Sequence, residues 1–146
     1  MIRPLHVLDA AAFARDRLGF HADPIQAQIL EVGHTRGLLN CSRQWGKSTT
    51  MAVKAVHRAF VTPASQIMIV SHTQRQSNEL MGKAEGFLRM LDLRVRGDGK
   101  NAHSLQFPNG SRIVALPGKA RNIRAFSATM LLVDEAAKQL RARFKK

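Results

Sequence analysis

Apolar residues follow two rhythms along this chain, a helical period near 3.6 and short unbroken runs. The helical rhythm occurs four times. Asp9 is placed to cap a helix running to Leu18, with Gly19 as its stop. Asp23 and Pro24 form a second start signal, and Ile25, Ile29 and Val32 are spaced for one face. Residues 47–60 carry Met51, Ala52, Ala55, Val56 and Ala59 at helical spacing, and residues 73–91 carry Leu80, Ala84, Phe87, Leu88 and Leu91. The unbroken runs are 37–41, 66–70 and 130–133, and each predicts a buried strand of a parallel sheet covered on both faces. Residues 92–101 are polar and contain glycine, so they predict a loop. The stretch 103–107, the turn Pro108-Asn109-Gly110 and the stretch 111–116 predict a hairpin. Alternating helices and strands give an α/β fold, a parallel sheet flanked by helices with an inserted β-hairpin.

Length and charge narrow the picture. A chain of 146 residues with 45% hydrophobic side chains suits one domain with a core. We divide it into N-terminal helices (1–35), a core (36–137) and a basic tail (138–146). No apolar run reaches the roughly 20 residues that span a bilayer, so no membrane partner is expected. The one cysteine, Cys41, cannot form an internal disulfide and suits a reducing cytoplasm. The formal charge is +13, and it is uneven. Residues 1–73 hold 8 basic against 4 acidic side chains (net +4), and residues 74–146 hold 15 against 6 (net +9). Arg94, Arg96, Lys100, Lys119, Arg121, Arg124, Lys138, Arg141, Arg143, Lys145 and Lys146 carry most of that second excess. Such a surface suits the phosphates of nucleic acid, or else it is a solvated face. With no Tyr and one Trp, backbone contact is favoured over base stacking.

Two local motifs carry chemistry. Between a predicted strand and a predicted helix lies CSRQWGKST, whose Gly46-Lys47-Ser48 completes the phosphate-loop pattern G-x-x-x-x-G-K-[ST]. In such a loop the backbone N–H groups of Ser42, Arg43, Gln44, Trp45, Gly46, Lys47, Ser48 and Thr49 face an anion. Lys47 reaches the outer phosphates and the Ser48 hydroxyl binds Mg²⁺. Cys41 stands where the pattern has its first glycine. The second motif is Asp134-Glu135, directly after four apolar residues. No carboxylate lies between Glu31 and Glu79, so an adjacent pair at a strand tip is not background. Asp134 would face the same Mg²⁺ and Glu135 would polarise the attacking water, or the pair would start the helix that follows. Both roles are compatible.

The ordered set LLNCSRQWGKST, FPNGSRIVALPG, IRAFS and LLVDEAA resembles the ATPase domain of the large subunit of tailed-phage terminases, the motors that package viral DNA into capsids. The resemblance spans most of residues 19–137 and implies a P-loop NTPase fold with ATP and Mg²⁺ as cofactors. It implies that Glu135, Lys47 and Arg43 are catalytic, with Arg43 stabilising γ-phosphate charge. GFHADPIQ resembles the adenine-binding segment, which places Gln26 on the adenine edge, with Ile25 where an aromatic residue is common. SHTQRQS resembles the turn after the second strand, where Gln74, Arg75 and Gln76 either face DNA or simply begin a helix. Arg124, in IRAFS, takes a basic position whose role the motif leaves open. Double-stranded DNA is the implied partner, with a portal protein, a small terminase subunit and a homo-oligomeric ring in an intact relative, all in the host bacterial cytoplasm.

Nothing matches the nuclease domain that follows in such proteins. Eleven residues remain after Glu135, and the strand expected between the phosphate-loop strand and the acidic strand is missing. The expectation is therefore a truncated motor domain, incomplete at its C-terminus. The alternatives are another helicase-like nucleic-acid ATPase, or an inactive DNA-binding remnant of a prophage terminase.

Overall fold

A computed structural model describes residues 9–33, 36–93, 104–117 and 127–136. The first helix, α1 (Ala10–Leu18), starts where the Asp9 carboxylate accepts the Ala12 N–H and ends at Gly19, whose φ of 64° only glycine adopts without strain. In α2 (Pro24–Glu31), Asp23 and Gln26 form a reciprocal capping box over a proline at the first turn. Helix α3 (Lys47–Val61) follows the glycine-containing loop and buries the five residues expected of it, together with Thr50 and Val53. Strand β1 (Gln66–Ser71) leads to α4 (Gln74–Met90), which Thr73 and Gln76 open with a second capping box. Gln74 bonds Asn78 and Arg75 pairs with Glu79 on the exposed face of α4. Strands β2 (Ser104–Gln106) and β3 (Arg112–Pro117) are the predicted hairpin, and β4 (Met130–Val133) precedes the acidic pair.

The four strands order as β2-β3-β1-β4, with β3, β1 and β4 mutually parallel and β2 antiparallel to β3. Register sorts their side chains onto two faces. Ile67 sits beside Ile113 and Met130, and Ile69 beside Ala115 and Leu132, so one face is a continuous apolar surface. On it pack Phe13 and Leu18 of α1, Leu30 of α2, Val53 and Val56 of α3 and Leu80 and Leu88 of α4, forming the main core. The other face carries a smaller cluster of Met68, Val114 and Leu116.

The NGS turn of the hairpin has a structural role. The last carbonyls of a helix have no partner within it. Asn109 Nδ2 donates to the carbonyls of Ala59 (2.8 Å) and Phe60 (3.2 Å), and Ser111 Oγ donates to Thr62 at 2.8 Å. The hairpin thereby terminates α3, with Gly110 at φ 83° making the turn.

Three expectations are corrected. Residues 37–41 form neither strand nor helix and are mostly exposed, with Leu38 87% exposed. A parallel strand needs a neighbour to take its N–H and C=O groups, and among the described residues β4 pairs with β1 alone. For the same reason β4 is not buried on both faces, since Leu131 and Val133 are 50% and 38% exposed. Helix α2 buries Gln26 and Leu30 rather than Ile25 and Val32, because the capping box turns Gln26 inward. Of the predicted loop 92–101 only residues 92 and 93 are described, and Arg124 and the basic tail lie outside the described residues altogether.

Candidate functional site

The parallel strands β1 and β4 end on the same edge of the sheet, where α/β proteins hold their ligands. The Asp134 N–H continues the ladder by donating to Val70 O at 2.8 Å, so the acidic pair stands immediately beyond that edge. There a cleft of about 620 Å³ opens, lined by residues 41–49, by Asp134 and Glu135, and by Gln76, Glu79, Leu80 and Lys83 of α4. The structure thus brings the residues of the predicted phosphate loop, Ser42, Arg43, Gln44, Trp45, Gly46, Lys47, Ser48 and Thr49, into one cleft with both acids.

The loop enters α3 through Gly46, which acts as its N-cap at φ 88° without any side-chain cap. The torsion favours glycine, and a Cβ here would lie a tight 3.1 Å from the end of the Gln26 side chain, which would have to shift slightly. With no capping side chain, the first N–H groups of α3 are left to a ligand, and the helix dipole favours a negative one. Gln44 turns the loop in the left-handed region at φ 64°. Across the cleft, Lys47 Nζ lies 3.4 Å from Asp134 Oδ1. Asp134 is 8% exposed, and Glu135 adopts φ 52° as the chain leaves β4. Left-handed backbone at a residue other than glycine costs about 1–3 kcal/mol and tends to mark functional positions. Arg43 is exposed on the rim.

Gln26 lies behind the loop, outside the lining. Its Oε1 accepts the Asp23 N–H at 3.0 Å and its Nε2 donates to Trp45 O at 3.0 Å. Both polar ends of the side chain are therefore engaged, one in the helix cap and one in the loop. What sequence reasoning missed is the place of α4 at the cleft: it gives Gln76 only as facing DNA or opening the helix, and does not single out Glu79 or Lys83. The signal was the helical spacing of 76, 79, 80 and 83, but which sheet edge these residues overlook is decided only by topology.

The Ser48 hydroxyl and the Asp134 carboxylate are hard oxygens of the kind Mg²⁺ prefers, and could hold it. Magnesium keeps waters and substrate phosphates around itself, so one or two protein ligands suffice. No group of three or more His, Cys, Asp or Glu that could cage an ion occurs among the described residues. Nor is any described helix long and apolar enough to cross a membrane.

Among the solved structures that share this fold are two of a phage protein. Both are of the ATPase domain of the large terminase of Thermus phage P74-26. One, a mutant in which an arginine is replaced by alanine, matches with a TM-score of 0.69 and 24% identity over 84% of this chain and 57% of its own. The other, without that replacement in its description, matches with a TM-score of 0.68 and 22% identity over 88% of this chain and 64% of its own. The chain thus spans about three-fifths of the length of the domains it matches. At the level of sequence, residues 38–143 match the family model for the N-terminal part of the T4likevirus-type terminase large subunit. That match takes in the loop, the hairpin and the acidic pair, and the chain belongs to the terminase large subunit family.

Proposed function

We propose that this chain is the ATP-hydrolysing part of a DNA-packaging motor, and that the cleft beyond β1 and β4 is its nucleotide site. The observation that carries the reading is the placement of Lys47 and Asp134 3.4 Å apart across a cleft whose floor is a glycine-capped helix start. A triphosphate would lie on the free N–H groups of α3, with Lys47 on its outer phosphates. Ser48 and Asp134 would hold Mg²⁺, which neutralises charge on the phosphates when bound. Glu135 takes a proton from the attacking water, and its half-buried position beside the loop suits that task. Arg43, on the rim, turns toward the γ-phosphate and stabilises the charge that develops there. Gln26 positions the loop through Trp45 O, and contact with the adenine edge would require it to exchange one of its two bonds.

Double-stranded DNA is the proposed polyanion for the remaining charge, with the portal, the small subunit and a ring of copies as partners of the assembled motor. The test is phosphate release from Mg-ATP by the full chain and by Lys47→Ala, with and without duplex DNA. Turnover that Lys47→Ala abolishes supports the reading. Equal rates for the two proteins overturn it, and binding without turnover by either protein identifies the inactive remnant.

A further inference from the structure

Helix α2 is too short to stand alone, since isolated helices below about 12–15 residues are marginal in water. Its eight residues bury only Gln26 and Leu30, so polar ties decide where it sits. There is one at each end. At the start of α2, Gln26 Nε2 donates to Trp45 O in the predicted phosphate loop at 3.0 Å. At its end, the carbonyls of Ile29, Leu30 and Val32 accept from the Lys54 ammonium at 2.5, 3.4 and 2.9 Å. The last carbonyls of a helix lack partners within it, and that negative end favours a cation. Lys54 is the eighth residue of α3, two turns or about 10 Å beyond Lys47. Val53, Ala55 and Val56 around it are fully buried, so its ammonium extends from a fixed base. The ties and the chain therefore close a ring that runs from the loop through α2 to α3 and back to the loop.

We propose that Lys54 is a positioning residue of the phosphate loop, acting through α2 and Gln26 on the peptide between Trp45 and Gly46. The proposal rests on the nucleotide reading above and deepens it. A trans peptide points its C=O and its N–H in opposite directions. Gln26 holds the Trp45 C=O behind the loop, which aims the Gly46 N–H at the cleft where the anion lies. Without that bond the same peptide is free to turn its carbonyl into the cleft and repel a phosphate. Gly46, at φ 88° and with no side chain, offers little resistance to such a rotation. Gln26 fixes the peptide only as firmly as α2 is fixed, and Lys54 secures the far end of α2. Lys54 itself lies outside the lining of the cleft, so it acts on the ligand only through the loop.

Trp45 is the chain's one tryptophan, so its fluorescence reports on the loop directly. The full chain is compared with Lys54→Met, Lys54→Arg, Gln26→Met, the double variant Lys54→Met/Gln26→Met, Asn109→Ala and Lys47→Ala. After a thermal melt, each is titrated with ATP and with inorganic tripolyphosphate in the presence of Mg²⁺, and acrylamide quenching of Trp45 is read without ligand. Lys54→Met and Gln26→Met should each weaken both ligands by the same factor, about fivefold for one lost hydrogen bond, and quenching should rise. The double variant should lose no more than the larger single loss, because either substitution opens the same ring. Lys54→Arg keeps a cation and its donors and should restore most of the affinity. Asn109→Ala loosens the other end of α3 and should bind both ligands as wild type does, which separates positioning from stability. Wild-type affinity and quenching in Lys54→Met overturn the proposal, whatever its melting temperature. So does a loss confined to ATP, which places the effect at the base, and so does full additivity in the double variant. If Lys54→Met does not melt cooperatively, Gln26→Met decides, and wild-type binding of tripolyphosphate by it overturns the proposal. If wild type and Lys47→Ala titrate identically, the nucleotide reading falls, while unchanged quenching in Lys54→Met separately overturns its hold on the loop.

Discussion

Glu135 combines three properties that rarely coincide by packing alone. It follows a parallel strand, it sits at φ 52°, and it lines the cleft beside a buried aspartate. The chain accepts the cost of a left-handed glutamate, which points to a task for its carboxylate. Glu135→Gln keeps the size and shape of the side chain and removes only its basicity. We expect it to retain Mg-ATP affinity within about threefold and to lose at least 100-fold in phosphate release, the usual contribution of a general base. Equal turnover in Glu135→Gln would place the water-activating role elsewhere. Lys47, Ser48, Asp134 and Glu135 were legible in the sequence because each is defined by its immediate neighbours: a glycine before, a hydroxyl after, an apolar run behind. Lys83 was not, because nothing near it in the chain announces that α4 overlooks the loop.

At the scale of elements, α3 is the hub, with a start that opens on the cleft and an end bound by the hairpin. Asn109 serves that end by filling two orphan carbonyls. Asn109→Ala should lower stability by about 1–3 kcal/mol, read as a fall in the urea midpoint, without changing nucleotide affinity, since the turn is remote from the cleft. A parallel loss of affinity would show that the hairpin also shapes the site. Lys54 ties α2 to α3: its ammonium donates to the carbonyls of Ile29 (2.5 Å) and Val32 (2.9 Å) at the end of α2. Burial, and after it the charge of Arg58, holds Lys54 below its usual 10.5. A lysine lowered in the folded state disfavours folding at neutral pH, and that penalty is relieved as pH rises through the lowered value towards 10.5. Lys54→Met should cost about 1 kcal/mol at neutral pH through the lost hydrogen bonds. The wild-type advantage should widen between neutral pH and pH about 10, and a gap that narrows would contradict this sign. The caps of α1, α2 and α4 were legible because a cap is a local hydrogen bond. The buried face of α2 was not, because Ile25 and Val32 have helical spacing but Gln26 is drawn inward by its bond to Trp45, nineteen residues away.

The whole molecule joins an α/β sheet to a large positive charge. The hairpin, the α/β class and the parallel strands could be read from apolar rhythm, but the order β2-β3-β1-β4 could not, since pairing is settled by contacts distant in the chain. The run at 37–41 is the exception: Leu38, Leu39 and Cys41 are apolar, yet with no partner among the described residues the segment forms no strand and is mostly exposed. The charge of +13 exceeds what the proposed nucleotide site, with Lys47 and Arg43, can use. Binding to duplex DNA of arbitrary sequence should therefore weaken steeply with salt, with a log–log slope of about −0.9 for each phosphate neutralised. A flat salt dependence by fluorescence anisotropy would exclude DNA as the partner of that charge. On the proposed function, the glycine-capped start of α3 and Lys47 hold a nucleotide's phosphates. The most direct test of this is an equilibrium titration of Mg-ATP into the full wild-type chain and into Lys47→Ala. Saturable binding that weakens at least tenfold in Lys47→Ala is the predicted result. Superimposable isotherms for the two proteins would contradict it.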